Sequence, residues 1–119
     1  MFAETLTLNF AGTGDLVLTR RKEGNYSSEY SGTIGTQDFI LTVKHTIPPN
    51  RQGGEHSHLV RLDVITYDAS NVIIGRASAW RVFGSYIGQQ VTATVTNLDK
   101  ALTSLMTAGN MAKLLNGES

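Results

Sequence analysis

At 119 residues the chain has room for one domain with a modest core, and not for two. Ten basic and ten acidic side chains cancel, which excludes a strongly basic nucleic-acid binder but leaves room for a local basic patch. With no cysteine, disulfides, thiolate metal sites and cysteine nucleophiles are excluded together, while 40% hydrophobic and 17% charged residues mark a folding chain.

Taken in order, Met1 to Phe10 carries Glu4 and alternates polar with apolar residues, so it does not read as a signal peptide. No apolar run anywhere approaches the roughly 20 residues of a membrane helix. The expectation is a soluble protein made and used in a cytoplasm. Leu6, Leu8 and Phe10 alternate with Thr5, Thr7 and Asn9, and Ala11 to Asp15 is turn chemistry. Leu16-Val17-Leu18 then resumes a strand, which predicts an N-terminal β-hairpin over 1–20. Arg20 to Asn25 reads as a polar connection and Tyr26 to Ile34 as a short strand.

Asp38 to Ile47 is the clearest segment. Leu41, Val43, His45 and Ile47 share one face, and Ile40, Thr42, Lys44 and Thr46 share the other. Pro48 to Gly54 must leave the sheet. His58 to Tyr67 is the return strand, with Val60, Leu62 and Val64 opposed to Leu59, Arg61 and Asp63. An excursion is predicted from Asp68 to about Ala79, then a long strand from Trp80 to Thr96 bent at Gly84 or Gly88. Asn97 suits a helix N-cap, and Leu98, Ala101, Leu102, Leu105 and Met106 form one helical stripe. A second helical piece follows from Met111 to Leu115, closed by Gly117.

The class is therefore α+β: a hairpin, an antiparallel sheet over 26–96 and helices over 97–116, within a single domain. About twenty helical residues cannot cover the apolar face of such a sheet, so the sequence asks for a partner. The stripe Leu98, Leu102, Leu105 and Met106 is the candidate dimer interface. Val72, Ile73 and Ile74, with Gly75 supplying freedom, make an apolar run that nothing local buries. That run is a candidate contact between dimers.

For the apolar sides of 38–47 and 58–67 to lie together, paired residue numbers must sum to an odd value. A turn centred near residue 52 or 53 makes that sum about 105 and sets Lys44 opposite Arg61. Like charges in that position make sense beneath an anion such as phosphate. A solvated face whose cationic stems spread apart is the plainer alternative.

Other constellations carry less. His56 and His58 share a parity but lack a third convergent ligand for a metal, His45 being assigned to the core side of its strand. No nucleophile elbow surrounds any serine, and Gly12-Thr13-Gly14 lacks the helix and lysine of a phosphate loop. Trp80 reads as an interface or core anchor. Arg20-Arg21-Lys22 could touch a nucleic acid or solvate a loop. No cofactor, metal site or enzymatic activity is expected.

In order and spacing, Leu6-Thr7-Leu8, Gly14 to Leu18, Leu41 to Lys44, Leu59 to Val64, Ala79-Trp80-Arg81 and Asn97-Leu98-Asp99 resemble the coat proteins of single-stranded RNA bacteriophages, the leviviruses. The resemblance covers the whole chain. It implies a hairpin before a five-stranded antiparallel sheet, with two C-terminal helices interlocked with a partner subunit in a homodimer. It further implies an icosahedral shell with subunits in three quasi-equivalent settings, single-stranded RNA packaged inside, and an RNA hairpin bound in translational repression. The virion, assembled in the bacterial cytoplasm, is then the location. Carried over residue by residue, the RNA-facing positions are Thr42, Lys44, Thr46, Leu59, Arg61 and Asp63, with Tyr86 or Phe83 as the base-stacking aromatic. Leu59 departs from the small hydroxyl residue that often lines an adenine pocket, and the loop from Pro48 to Ser57 is unusually glycine-rich. A dimeric RNA-binding regulator that never assembles is the alternative reading.

Overall fold

A computed structural model describes residues 2–10, 14–47, 55–86 and 92–118. Two compact units divide the chain, Met1–Ile87 and Gly88–Ser119. The first is one antiparallel sheet of six strands in sequence order. Its strands are β1 (Thr5–Phe10), β2 (Gly14–Gly24), β3 (Ser27–Ile34), β4 (Gln37–Thr46), β5 (Glu55–Tyr67) and β6 (Ile73–Tyr86). The second unit holds α1 (Thr92–Leu105) and α2 (Ala108–Leu115).

The alternation of β4 does what its pattern predicts. Phe39, Leu41 and Val43 are buried and join Leu16 and Leu18 of β2 and Tyr30 of β3 in the core. Burial comes from a curl in the sheet. β2 pairs with β3 only from Thr19 onward, with a bulge between Arg20 and Lys22, so the β1–β2 hairpin folds over its own neighbours. Phe10 thereby meets Phe39 edge-on, ring centres 5.0 Å apart. Gly32 permits the fold: a Cβ there would stand 2.2 Å from the Val17 carbonyl oxygen. The Tyr30 hydroxyl, carried into the core, donates to the Ala3 carbonyl at 3.0 Å and accepts from the Arg20 guanidinium.

Several expectations need correcting. Arg20 to Gly24 is no connection but the second half of β2, because the bulge lets a charged stretch stay in the ladder. The hairpin and sheet are one continuous six-stranded sheet. The excursion after β5 is short. Asp68 Oδ1 accepts from the Ser70 and Val72 amides, Asn71 takes φ 62°, and β6 begins at Ile73. Ile73, Ile74 and Gly75 therefore belong to a strand, Gly75 pairing with Thr66. Pairing is continuous through Gly84, and the irregularity falls instead between Thr66 and Tyr67. Gly88 lies outside the described residues.

Helix α1 begins at Thr92, so Asn97 lies inside it rather than capping it. The run Thr92-Ala93-Thr94-Val95-Thr96 has strand-like β-branching, but Thr96 Oγ1 donates to the Thr92 carbonyl at 2.8 Å within the helix. Thr107 caps α2, its side chain accepting from the Asn110 amide at 3.2 Å, so Gly109 is helical and the interruption falls at Met106-Thr107. Gly117, at φ 80°, follows the helix as expected. Leu98, Leu102 and Leu105 are exposed, Met106 partly so, and neither helix buries a residue.

Candidate nucleic-acid interface

The pairing of β4 with β5 sums to 103, not 105: Lys44 faces Leu59, Thr42 faces Arg61 and Ile40 faces Asp63. The parity was right and the value was off by one ladder step on this face. Lys44 and Arg61 are therefore diagonal neighbours, and direct like-charge opposition drops out as an argument. Directly paired residues share a face, so the ladder assembles a row across five strands: Lys22, Glu29, Thr42, Arg61 and Trp80. The next row is Gly24, Ser27, Lys44, Leu59 and Val82. Thr46 continues the face beside Ser57.

This face is open, and Asp63 and Glu29 on it are engaged. Arg61 Nε lies 3.0 Å from each Asp63 oxygen, and its planar group sits 5.3 Å from the Trp80 ring centre. Arg21 reaches from the bulge to Glu29 at 3.1 Å. Lys22, Lys44 and Arg76 have no ion pair among the described residues. An open depression of about 340 Å³ is lined by Arg61, Asp63, Arg76, Ser78 and Ile40. The alternatives left open for Arg20-Arg21-Lys22 thus separate by residue: Arg20 serves the core, Arg21 is paired, and Lys22 is free on the open face.

The register also separates the two aromatic candidates. Phe83 pairs with His58 on the core side, whereas Tyr86 pairs with Glu55 at the ladder parity of Trp80 and Val82. Trp80 is not the core anchor that was one of its two expected roles. It is 58% exposed on the cationic face. Its neighbour Arg81 takes the opposite side of the strand, and only the β5–β6 register assigns the two sides.

The histidines gather more closely than expected. His45 and His58 are directly paired, with His56 on the same side of β5. Among the described residues, no three His, Asp or Glu side chains could hold a metal ion.

Against this geometry, a family model described as the coat protein of phage phiCb5 matches residues 3–84, more than half of the chain. The chain belongs to the phiCb5 coat-protein family. A comparison with curated proteins finds no match. Among solved structures, the virus-like particle of Beihai levi-like virus 21 superposes with a TM-score of 0.75 at 18% identity, covering 100% of this chain and 98% of that one. The coat protein of bacteriophage EMS014 gives 0.70 at 12% identity, over 89% of this chain and 74% of its own. An unassembled virus coat protein dimer, described as a bacteriophage RNA-binding dimer, gives 0.66 at 17% identity over 98% and 95%. These likenesses show the RNA-phage coat-protein fold, and with the family they make the chain a phage capsid protein of the virion, structural rather than enzymatic.

Proposed function

We propose that this phiCb5-family coat protein, as a single domain over 1–119, dimerises, builds an icosahedral shell and holds single-stranded RNA on its open sheet face. The row Thr42–Arg61–Trp80 carries the reading. An exposed indole under the Arg61 guanidinium, on a face that also carries Lys22 and Lys44, gives an unpaired base a stacking surface and its phosphates a counter-charge. Lys44, Thr46 and Leu59 extend the contact, Asp63 positions Arg61, and Tyr86 completes it. Binding an RNA hairpin there in repression, and assembly in the host cytoplasm, follow from the same reading. Leu98, Leu102, Leu105 and Met106 pack on a partner. Two features support that role: the exposed helical stripe and the position of β6 at the edge of the sheet among the described residues. Val72, Ile73 and Ile74, 57%, 43% and 63% exposed, remain the candidate contact between dimers even though the last two lie in β6.

Trp80 is the chain's lone tryptophan, so its fluorescence reports this face directly. Single-stranded RNA is expected to quench it. Lys44→Thr combined with Arg61→Thr should weaken binding and flatten its salt slope by roughly 1.4. Unchanged emission with an unchanged slope places RNA elsewhere. Size exclusion and microscopy of the purified protein test assembly, where dimers without shells would support the non-assembling regulator.

A further inference from the structure

The core side of β4 and β5 ends in a polar pair, on the side of the ladder away from the RNA face. His45 Nδ1 and His58 Nδ1 lie 2.8 Å apart, with the rings edge-to-face at 5.0 Å between centres. His58 Nε2 lies 3.2 Å from Ser85 Oγ on β6. Three strands are thus tied through one imidazole, in the ladder that carries Thr42 and Arg61 on its other side.

A nitrogen–nitrogen hydrogen bond needs one donor and one acceptor, so at least one ring must have a bare Nδ1. A single proton added to the pair is compatible with the contact. A second makes both Nδ1 atoms donors and sets two cations against each other. We propose that His45 and His58 form an acid-operated latch between β4 and β5, closed while either ring is neutral and open once both are protonated.

The surrounding groups do not offset the second charge. His56, on β5, shares the side, and its Nε2 is shielded without a hydrogen-bond partner. From β6, Ser85 is neutral, Phe83 is apolar, and Arg81 adds positive charge one ladder step along. From β2, Arg20 and Glu23 border the same depression as His45, but they are paired to each other at 3.5 Å. From the turn before β3, Tyr26 supplies a carbonyl to the His45 amide. Burial first, then His45 and His56, holds His58 below the ordinary histidine range. The unfolded chain therefore takes its proton at a higher pH than the folded one. The latch's stabilisation is complete above about pH 6.5 and is lost as pH falls through the lowered value.

The latch is independent of the RNA reading and is tested without RNA. Thermal unfolding of the full-length protein is followed from about pH 7.5 to about pH 5, across the histidine range, in wild type and in His45→Asn/His58→Asn. The wild-type midpoint should fall by several degrees more than the variant's over that range, and His56→Asn should retain most of the wild-type fall. Parallel curves for wild type and double variant overturn the latch. Should the double variant fail to fold, the wild-type histidine ring resonances decide. His58 titrating below the ordinary histidine value supports the latch, whereas His58 titrating at the ordinary value overturns it.

Discussion

Strands β2 to β4 hold every fully buried core side chain described, from Leu16 to Val43, whereas Val60, Leu62 and Val64 on the same side of β5 stay only partly buried. β4 and β5 alternate equally cleanly in sequence, so patterning alone does not bury a sheet face. What differs is the lid. The β1–β2 hairpin curls over β3 and β4, and the β5–β6 flank has no equivalent strand above it within its own sheet. The closed half gains stability from the chain itself, with each fully buried large apolar side chain contributing roughly 1.5–3 kcal/mol. The open flank is the part we assign to neighbouring copies.

The largest test breaks the closed half. Phe39→Ala removes the ring that meets Phe10 and should cost about 3–5 kcal/mol in denaturant unfolding of the full-length protein. Val64→Ala, at a half-covered site, should cost clearly less in the isolated chain and more once dimers form. Equal costs at the two sites would erase the distinction between the halves.

A smaller effect tests the curl. Gly32→Ala drives a methyl group against the Val17 carbonyl, which is backbone and cannot rotate away. Destabilisation of about 1–3 kcal/mol is expected. An unchanged unfolding midpoint would mean that the hairpin sits higher over β3 than described.

The same contrast explains how much the sequence disclosed. Period-two alternation exposed β1, β4 and β5 because one face of each is consistently apolar, and the turns at Asp68 and Gly117 carry their own chemistry. β2 was cut short at Arg20 because charged residues imitate a loop when a bulge keeps them in the ladder. The front of β6 was hidden by Arg76, Ser78 and small residues that do not alternate, since that strand is not half-buried. α1 lost its first turn to β-branched residues. On the candidate RNA face, parity gave Thr42, Lys44 and Arg61 a common side. The ladder value depended on residues 48–54, which have no sequence rule tight enough to choose 103 over 105, and Trp80 could not be placed without it.

The smallest expected effect on stability is also the sharpest on the open face. Asp63 holds Arg61 from the same strand, both groups are substantially exposed, and Arg61 also rests on Trp80. Replacing Asp63 with Asn keeps the shape and one acceptor oxygen but removes the negative charge and turns the second acceptor into a donor. As a surface pair, the loss should change unfolding free energy by no more than about 0.5 kcal/mol. Its effect on RNA should have the opposite sign. With no carboxylate to neutralise it, the Arg61 guanidinium is available to a phosphate, so affinity should rise and the salt slope steepen by about 0.7. If Asp63 instead serves chiefly to orient Arg61 over the indole, affinity falls at constant slope, because stacking is lost while the number of phosphate contacts is not changed. Measuring RNA binding to Asp63→Asn at several salt concentrations separates these outcomes. A variant with wild-type affinity and slope would remove both Asp63 and Arg61 from the binding face.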